Sequence, residues 1–519
     1  MSGRESLDSY LLSDEEWAQI QQTPAGGLGV PADINVYLQQ CQTKFEAAIK
    51  QLKQGLKAET SPLSVTDDGD LKLAALKKAV PPEAERLSNR LYRYMPTIDF
   101  GQMMIDVDRW TGFLDQFTHL VSGAAPEHER KAILIAALLE NGMNLGATRM
   151  ALATDYSARE ISECAEWHVR EQTVQSGLTV LDNFVLHHPY SQHWGQGKTS
   201  SSDGVRIPVA VKSPSAVYNA KYFWYRRGVT LVTHTADIWM PFYPQVIEDT
   251  REALYIIDAL LHHQTDLNLT EHFTDSAGAT YHVFALCRLL GIQFTPRIRD
   301  ITQKYLYSAN TIEEIDDAVA PLYKGTIEQA QFVDQWDTIR RLAASIRHGT
   351  APASVLMRKL AAYPKNSQIA EALREMGKLE RSIFTLNFMQ DAVMQRRALA
   401  GLNKGEAIHS LADVIHIGKK GELHEAKLDA QMQRASGLML LVAVVSTWNT
   451  VYLDHIVKTL RADGETISDE LLQHVAPLGS RHINFLGRYH FDLDQHFPLS
   501  QLRPLMPPDS TSDPKPPKI

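Results

Sequence analysis

Three acidic residues sit in surroundings that suit phosphate chemistry. Asp203 lies in TSSSDGVRI, Asp275 in FTDSAGA and Glu406 in GLNKGEAIHS. The two aspartates stand where small residues meet β-branched stretches, which leaves room for a metal ion and a phosphate. Phosphoryl transfer on DNA suits two divalent ions about 4 Å apart, held by carboxylates. One ion activates the attacking water or 3′ hydroxyl, and the other stabilises the leaving 3′ oxygen. Magnesium keeps several of its waters, so three protein acids are enough. The plainer readings stand beside this one. An Asp before Gly is an ordinary turn residue, and Glu406, between Lys404 and His409, also fits a solvated helix face. Rival acids are Asp237, Asp258, Glu271, Asp300, Glu375 and Glu380. His234, His262, His263 and His272 raise a zinc site but lack an HExxH frame.

The elements that would position these acids can be read along the chain. Residues 33–58 show helical periodicity, with Asp33 placed to cap the start. LSVTDDGDLKL reads as an extended piece with an Asp-Gly turn. Residues 81–187 read as mostly helical and 188–204 as loop. VRIPVAV (205–211) and GVTLVTHTA (228–236) read as strands, which puts Asp203 at the edge of the first. Then come a helix over 251–263, a strand over 267–275 ending at Asp275, a helix over 281–291 closed by Gly291, and a strand over 292–299. Helices resume from about 311 to 460. Strand-helix alternation predicts an α/β core with helices on both sides of it in sequence.

Totals bound the function. The chain has 519 residues, enough for two to four domains. Its formal net charge of -9 argues mildly against a polyanion partner. Residues 338–420, however, hold fourteen Lys/Arg against six Asp/Glu. Such a local excess matters more for nucleic-acid binding than the total does. The three cysteines, Cys41, Cys164 and Cys287, lack CxxC spacing, so a reducing, intracellular home is expected. The start of the chain, MSGRESLDSYLLSDEEW, has no signal-peptide pattern. The most apolar run, 438–453, is too short and too interrupted by polar residues to span a bilayer and reads as a buried helix. The proline-rich residues 506–519 read as a disordered tail.

Many segments together carry a family resemblance. WTGFLDQFTHL (110–120), SSSDG (200–204), FTDSAGATYHVFALCRLLGIQFTPRIRD (273–300), ASIRHGTAPASVLMRKLAAYP (344–364), LREMGKLERSIF (373–384), AGLNKGEA (400–407), RASGLML (434–440), WNTVYL (448–453) and PLGSRHINFLG (477–487) resemble the transposases of the Tn-three family. These are enzymes of replicative, cointegrate-forming bacterial transposons. The resemblance implies an α/β fold with an RNase-H-like mixed-sheet core, a long helical insertion and flanking helical scaffolds. It implies a DDE triad of Asp203, Asp275 and Glu406, with separations of 72 and 131 residues. It implies two Mg2+ ions, with Mn2+ as a substitute, DNA as transposon end and target, and a cytoplasmic setting at the nucleoid. Arg206, Arg297, Arg299, Arg396, Arg397 and Lys404 would hold backbone phosphates. Glu380 in GKLERS is the strongest rival for the third acid.

The expected division is 1–104 as a linker and helical region, 105–194 as helices packed on the core, and 195–300 as the core itself. The insertion would then fill 301–395, the helix with the third acid 396–430, and a C-terminal scaffold 431–505. The sequence departs from the family at Ser276 (commonly Thr), Tyr281 (an acid), Ile408 (Arg) and Ser480-Arg481 (Trp-Glu). Full transposases of the family are longer, with an N-terminal half that recognises the inverted repeats. A truncated catalytic half is therefore expected. The competing expectation is a catalytically incompetent partner that associates with full-length subunits and inhibits them.

Overall fold

A computed structural model describes residues 7–23, 27–57, 61–76, 80–247, 252–312, 315, 317–362, 368–495 and 497–507. Most of the expected C-terminal tail lies outside the described residues. The chain is a mixed α/β protein that divides into two compact units. One comprises 1–78, 251–262 and 269–402; the other comprises 79–250, 263–268 and 403–519.

In the first unit the helix Ile34–Gly55 starts where Asp33 predicts: the Asp33 side chain accepts from the backbone N–H of Asn35 at 2.8 Å. Its apolar stripe, Tyr37, Cys41, Phe45, Ala48 and Leu52, recurs every three to four residues and is buried against the helix Gln368–Gln390. That second helix also packs on Tyr281–Leu290. Gly377 permits the approach, because a Cβ there would overlap the backbone carbonyl of Tyr281. The strands Glu271–Thr274 and Gln293–Phe294 pair in parallel across Tyr281–Leu290, a strand-helix-strand crossover. The expected long strand over 292–299 is thus only two residues. The Asp-Gly turn is present as a hairpin of Leu63–Val65 with Leu71–Leu73. Leu306–Ser308 pairs in parallel with Tyr323–Thr326, a stretch where continuous helices were expected.

The second unit is built on the helix Leu428–Ala462, whose residues 435–453 are buried on every side. It is long and apolar enough to cross a membrane, yet its most apolar stretch is wholly buried. Several of its internal polar groups find backbone partners: Thr447 and Thr450 donate to carbonyls one turn back, and the Asn449 amide N–H groups donate to the carbonyls of Pro477 and Gly479. Lys131–Gly142 and Glu171–His187 flank it. The antiparallel strands are Thr199–Val209, Val217–Tyr218, Arg227–Ala236 and Pro241–Ile247. Arg227–Ala236 is central, with Thr199–Val209 along one edge over ten paired residues. Val217–Tyr218 and Pro241–Ile247 share its other edge.

Glu406 lies inside the helix Ala392–Ile415, despite Gly401 and Gly405 in the same stretch. Just beyond the helix, Gly418 donates to the Met143 carbonyl at 2.9 Å and lies against the backbone of Asn144, where a Cβ would overlap the Asn144 carbonyl. Lys419 and Lys420 then turn through left-handed conformations (φ 48° and 58°).

Two predictions concern the second unit. Gly418→Ala should destabilise by about 1–3 kcal/mol through overpacking, whereas a Cβ at Gly405, inside the helix, meets only ordinary contacts and Gly405→Ala should stabilise by up to about 1 kcal/mol. Denaturant melts of the two variants would compare them. Asp182, fully buried on Glu171–His187, accepts no hydrogen bond on either carboxylate oxygen, and burial pushes its pKa well above the usual carboxylate value. The unfolded chain therefore ionises at lower pH than the folded one, so this residue erodes stability as pH rises above the ordinary carboxylate pKa. Asp182→Leu should raise the melting temperature more at pH 8 than at pH 5. An equal gain at both would refute the assignment.

Candidate active site

The site in the second unit follows from two periodicities. In a strand alternate residues share a face, so Ser201, Asp203 and Val205 lie on one side of Thr199–Val209. Their antiparallel partners Thr235, Thr233 and Leu231 lie on the same side. In a helix residues three to four apart share a face, which groups Gly405, His409, Ala412 and His416. The two faces meet. The Cβ position of Gly405 is 3.6 Å from Ser201 Oγ and 4.0 Å from Thr235 Oγ1. The small Ser and Thr side chains of the strands leave room for this approach, with space for a Cβ at Gly405. Farther along the same face, a cavity of about 260 Å³ opens among Val205, Leu231, Asp413 and His416.

Asp203 thus stands within the strand, opposite Thr233, and not at its edge. The strand starts earlier than its β-branched stretch, because Ser200, Ser201 and Ser202 are buried in the ladder. One ligand atom each of Asp203, Glu406 and His409 lie within 4.8 Å of one another. Among the described residues this is the one grouping of three or more His, Cys, Asp or Glu side chains with such spacing, and His234, His262, His263 and His272 are outside it. Glu406 is exposed; Asp203 and His409 are half-buried.

His409 is the residue that the sequence reading passed over. Its Nδ1 is 3.7 Å from Asp203 Oδ2, and its Nε2 is 2.6 Å from Thr233 Oγ1. The Thr233 hydroxyl donates to the Asp203 carbonyl at 3.3 Å. Its oxygen is then the acceptor for His409 Nε2–H, which leaves the Nδ1 lone pair on the carboxylate side. Burial lowers the His409 pKa, against the opposing pull of Glu406 and Asp413. A neutral imidazole and two carboxylates form a donor set that fits a divalent cation. The signal available in sequence was the Glu406-x-x-His409 spacing on one helix face.

Asp275 belongs to the other unit. It follows Glu271–Thr274 directly and is exposed. Its Oδ1 accepts from the N–H groups of Ala277 (2.7 Å) and Gly278 (3.4 Å). Ser276 Oγ donates to the Arg297 carbonyl at 3.2 Å and accepts from Arg299 N–H at 2.6 Å, so two exposed arginines flank the Asp275 turn. Arg396 is exposed, and Arg397 pairs with Glu271 at 3.1 Å.

Other residues have structural partners. Lys404 donates to the carbonyls of Asp237 and, at 3.4 Å, Trp194, and its ammonium lies 5.2 Å from the centre of the Trp239 ring. Burial pushes its pKa down to about 8. These contacts, all within the second unit, hold the segment around Lys404 in place instead of turning a cation to solvent. Arg206 is half-buried and lines the cavity. Asp237 accepts from the N–H groups of residues 196–199, holding the turn before the strand. Glu380 accepts from Tyr37 Oη at 2.6 Å and pairs with Arg288 at 3.3 Å. Ile408, where the family commonly has arginine, is fully buried.

The model for the Tn3 transposase DDE domain matches residues 102–489. The transposase for transposon Tn21 of Escherichia coli is 37% identical over 96% of this chain and 51% of its own length. The transposase for transposon Tn1546 of Enterococcus faecium is 38% identical over 96% of this chain and 50% of its own length. The transposase for transposon gamma-delta of Escherichia coli K12 is 30% identical over 95% and 50% respectively. The chain spans about half the length of the curated relatives it matches. The family match covers most of the chain, and the chain belongs to the Tn3 transposase family, within its DDE domain.

Proposed function

We propose that this chain carries the phosphodiester chemistry of a DDE transposase, with Asp203, Asp275 and Glu406 as its three acids. The observation that carries the reading is the convergence of Asp203, Glu406 and His409, from segments some two hundred residues apart, on one cation-sized space. The fold reading that accompanies it is an RNase-H-like core over 195–300, completed by the helix around Glu406 after a helical insertion. The reaction is hydrolytic nicking that frees a transposon 3′ hydroxyl, followed by in-line attack of that hydroxyl on target DNA. In the first step water oxygen bonds to phosphorus and the 3′ oxygen leaves. In the second the 3′ oxygen bonds to a target phosphorus and a target 3′ oxygen leaves.

Bound Mg2+ or Mn2+ would supply Lewis-acid polarisation of the phosphoryl oxygens and a lowered pKa for the attacking hydroxyl or water. The carboxylates of Asp203 and Glu406 and the Nδ1 of His409 would hold such an ion, and Thr233 fixes the imidazole that presents Nδ1. Asp275, held by its own backbone turn, contributes the third carboxylate. Arg297 and Arg299 beside it hold DNA phosphates, and Arg396 extends the same role. These contacts position the substrate without reading its sequence. The partners are transposon-end and target DNA and a further transposase subunit, in a cytoplasmic setting.

Asp203→Asn, Asp275→Asn and Glu406→Gln should each lower Mg2+-dependent nicking and the joining of pre-cut ends at least about 100-fold. Circular dichroism and DNA affinity should hold. A dead Glu380→Gln beside an active Glu406→Gln would move the third acid to Glu380. His409→Ala should weaken Mn2+ binding, read by electron paramagnetic resonance, by roughly 10–100-fold. Unchanged Mn2+ affinity would leave His409 a purely structural role.

A further inference from the structure

The connection between Thr199–Val209 and Arg227–Ala236 takes no part in the chemistry above. Residues 211–228 read VKSPSAVYNAKYFWYRRG, with four cations and no acid. Three aromatic rings stand in solvent: Trp224 and Tyr225 are each 79% exposed and Tyr218 is 60% exposed. Lys212, Lys221, Arg226 and Arg227 are exposed around them. A chain with an overall charge of -9 thus concentrates bare rings and positive charge in one segment.

The segment is held rigidly at its foot. Ser215 Oγ donates to Gln431 Oε1 at 2.7 Å, and Gln431 Nε2 donates to Ser213 Oγ at 3.0 Å, all of them buried. Val217 and Tyr218 pair with Gly228 and Arg227 in the sheet. Asn219 caps the following helical turn, accepting from Lys221 N–H at 3.0 Å. Phe223 is buried on Gly228, where a Cβ would overlap its ring. Arg226 pairs with Glu422 and lies 5.8 Å from the Tyr225 ring centre. Trp224 follows Phe223 with φ 55° and ψ −113°, a conformation that non-glycine residues avoid. Strain of this kind persists where the surrounding structure imposes it, and it collects at functional positions. Here, burying Phe223 leaves Trp224 facing out.

Aromatic rings with interleaved cations, preordered by a rigid base, are a platform for unstacked nucleic-acid bases. Asp203 and Val209 are six residues apart on one strand, roughly 20 Å at about 3.3 Å per residue. Val209 pairs with Arg227 at the root of the aromatic segment. At about 3.4 Å rise per base pair, that spacing is roughly six base pairs. We infer that Tyr218, Trp224 and Tyr225 form a stacking platform for bases unpaired from DNA near the reacting phosphate, with the surrounding cations on the backbone. The inference rests on the DNA-processing reading of the site, and its test does not require catalysis.

The test uses the full chain in EDTA. The probes are a forked oligonucleotide duplex with 2-aminopurine in its unpaired arm and a blunt duplex of equal length. Wild type should prefer the fork. Trp224→Ala combined with Tyr225→Ala should lower fork affinity about 5–150-fold and abolish 2-aminopurine quenching, with blunt-duplex affinity held within twofold. Phe at both positions should restore fork binding. Lys221→Ala with Arg227→Ala should weaken both probes alike and reduce the salt dependence. Equal fork affinity in the Ala double variant overturns the inference. So does a fall in sedimentation mass with DNA binding untouched, which would make the patch a protein interface. Asp203→Asn should bind the fork as wild type does. Ring-dependent fork binding without any Mg2+-dependent nicking by wild type would overturn the catalytic reading and leave the platform standing.

Discussion

The site depends on one constraint: residues 403–415, the part of the helix Ala392–Ile415 that belongs to the second unit, must lie flat on the Ser201-Asp203-Val205 face of the neighbouring strand. Three contacts within the second unit enforce this. Lys404 anchors the helix to the carbonyls of Asp237 and Trp194. His409 binds Thr233 at 2.6 Å in the middle. Gly418 locks the segment beyond the helix to Met143 and Asn144. With the helix fixed at these points, Glu406 and His409 are directed at Asp203. The small residues on the strand face have no evident chemistry of their own, and their role is to leave room for the helix.

The same contacts explain how the acids divide. An ionised carboxylate in a fold needs donors or a cation. Asp237 has four backbone N–H groups, and Glu380 has Tyr37 and Arg288. Asp258, buried, accepts from Ser354 N–H, and Glu375 pairs with Lys378. Glu406, exposed to solvent, instead faces another carboxylate and an imidazole, a donor set that a bound cation would hold together.

Much of the local structure was legible in the residues. The Asp33 cap, the Asp-Gly hairpin, the Gly291 helix end and the burial of 438–453 follow from short-range rules, and those rules hold here. GLNKGEA, expected on a helix in spite of its turn residues, does run through a helix interior, where packing outweighs the roughly 1 kcal/mol that each glycine costs. The errors arise where tertiary partners override propensity. Ser200–Ser202 has the composition of a loop, yet it is strand because Thr235 and its neighbours complete the ladder. Lys404 reads as a phosphate contact, and only the fold reveals the carbonyls and the indole that take its charge. His409 went unremarked because its partner Thr233 is 176 residues away in sequence.

The interleaving of the two units has a bearing on synthesis. The second unit is interrupted by most of the first, so the strand with Asp203 leaves the ribosome long before the helix that completes its face. At about 5–20 residues per second, that delay is roughly 10–40 s. Throughout it the nascent chain has one carboxylate of the cluster and lacks the others. The grouping of Asp203, Glu406 and His409 therefore comes into being late, only after the helix that carries two of its members has been made.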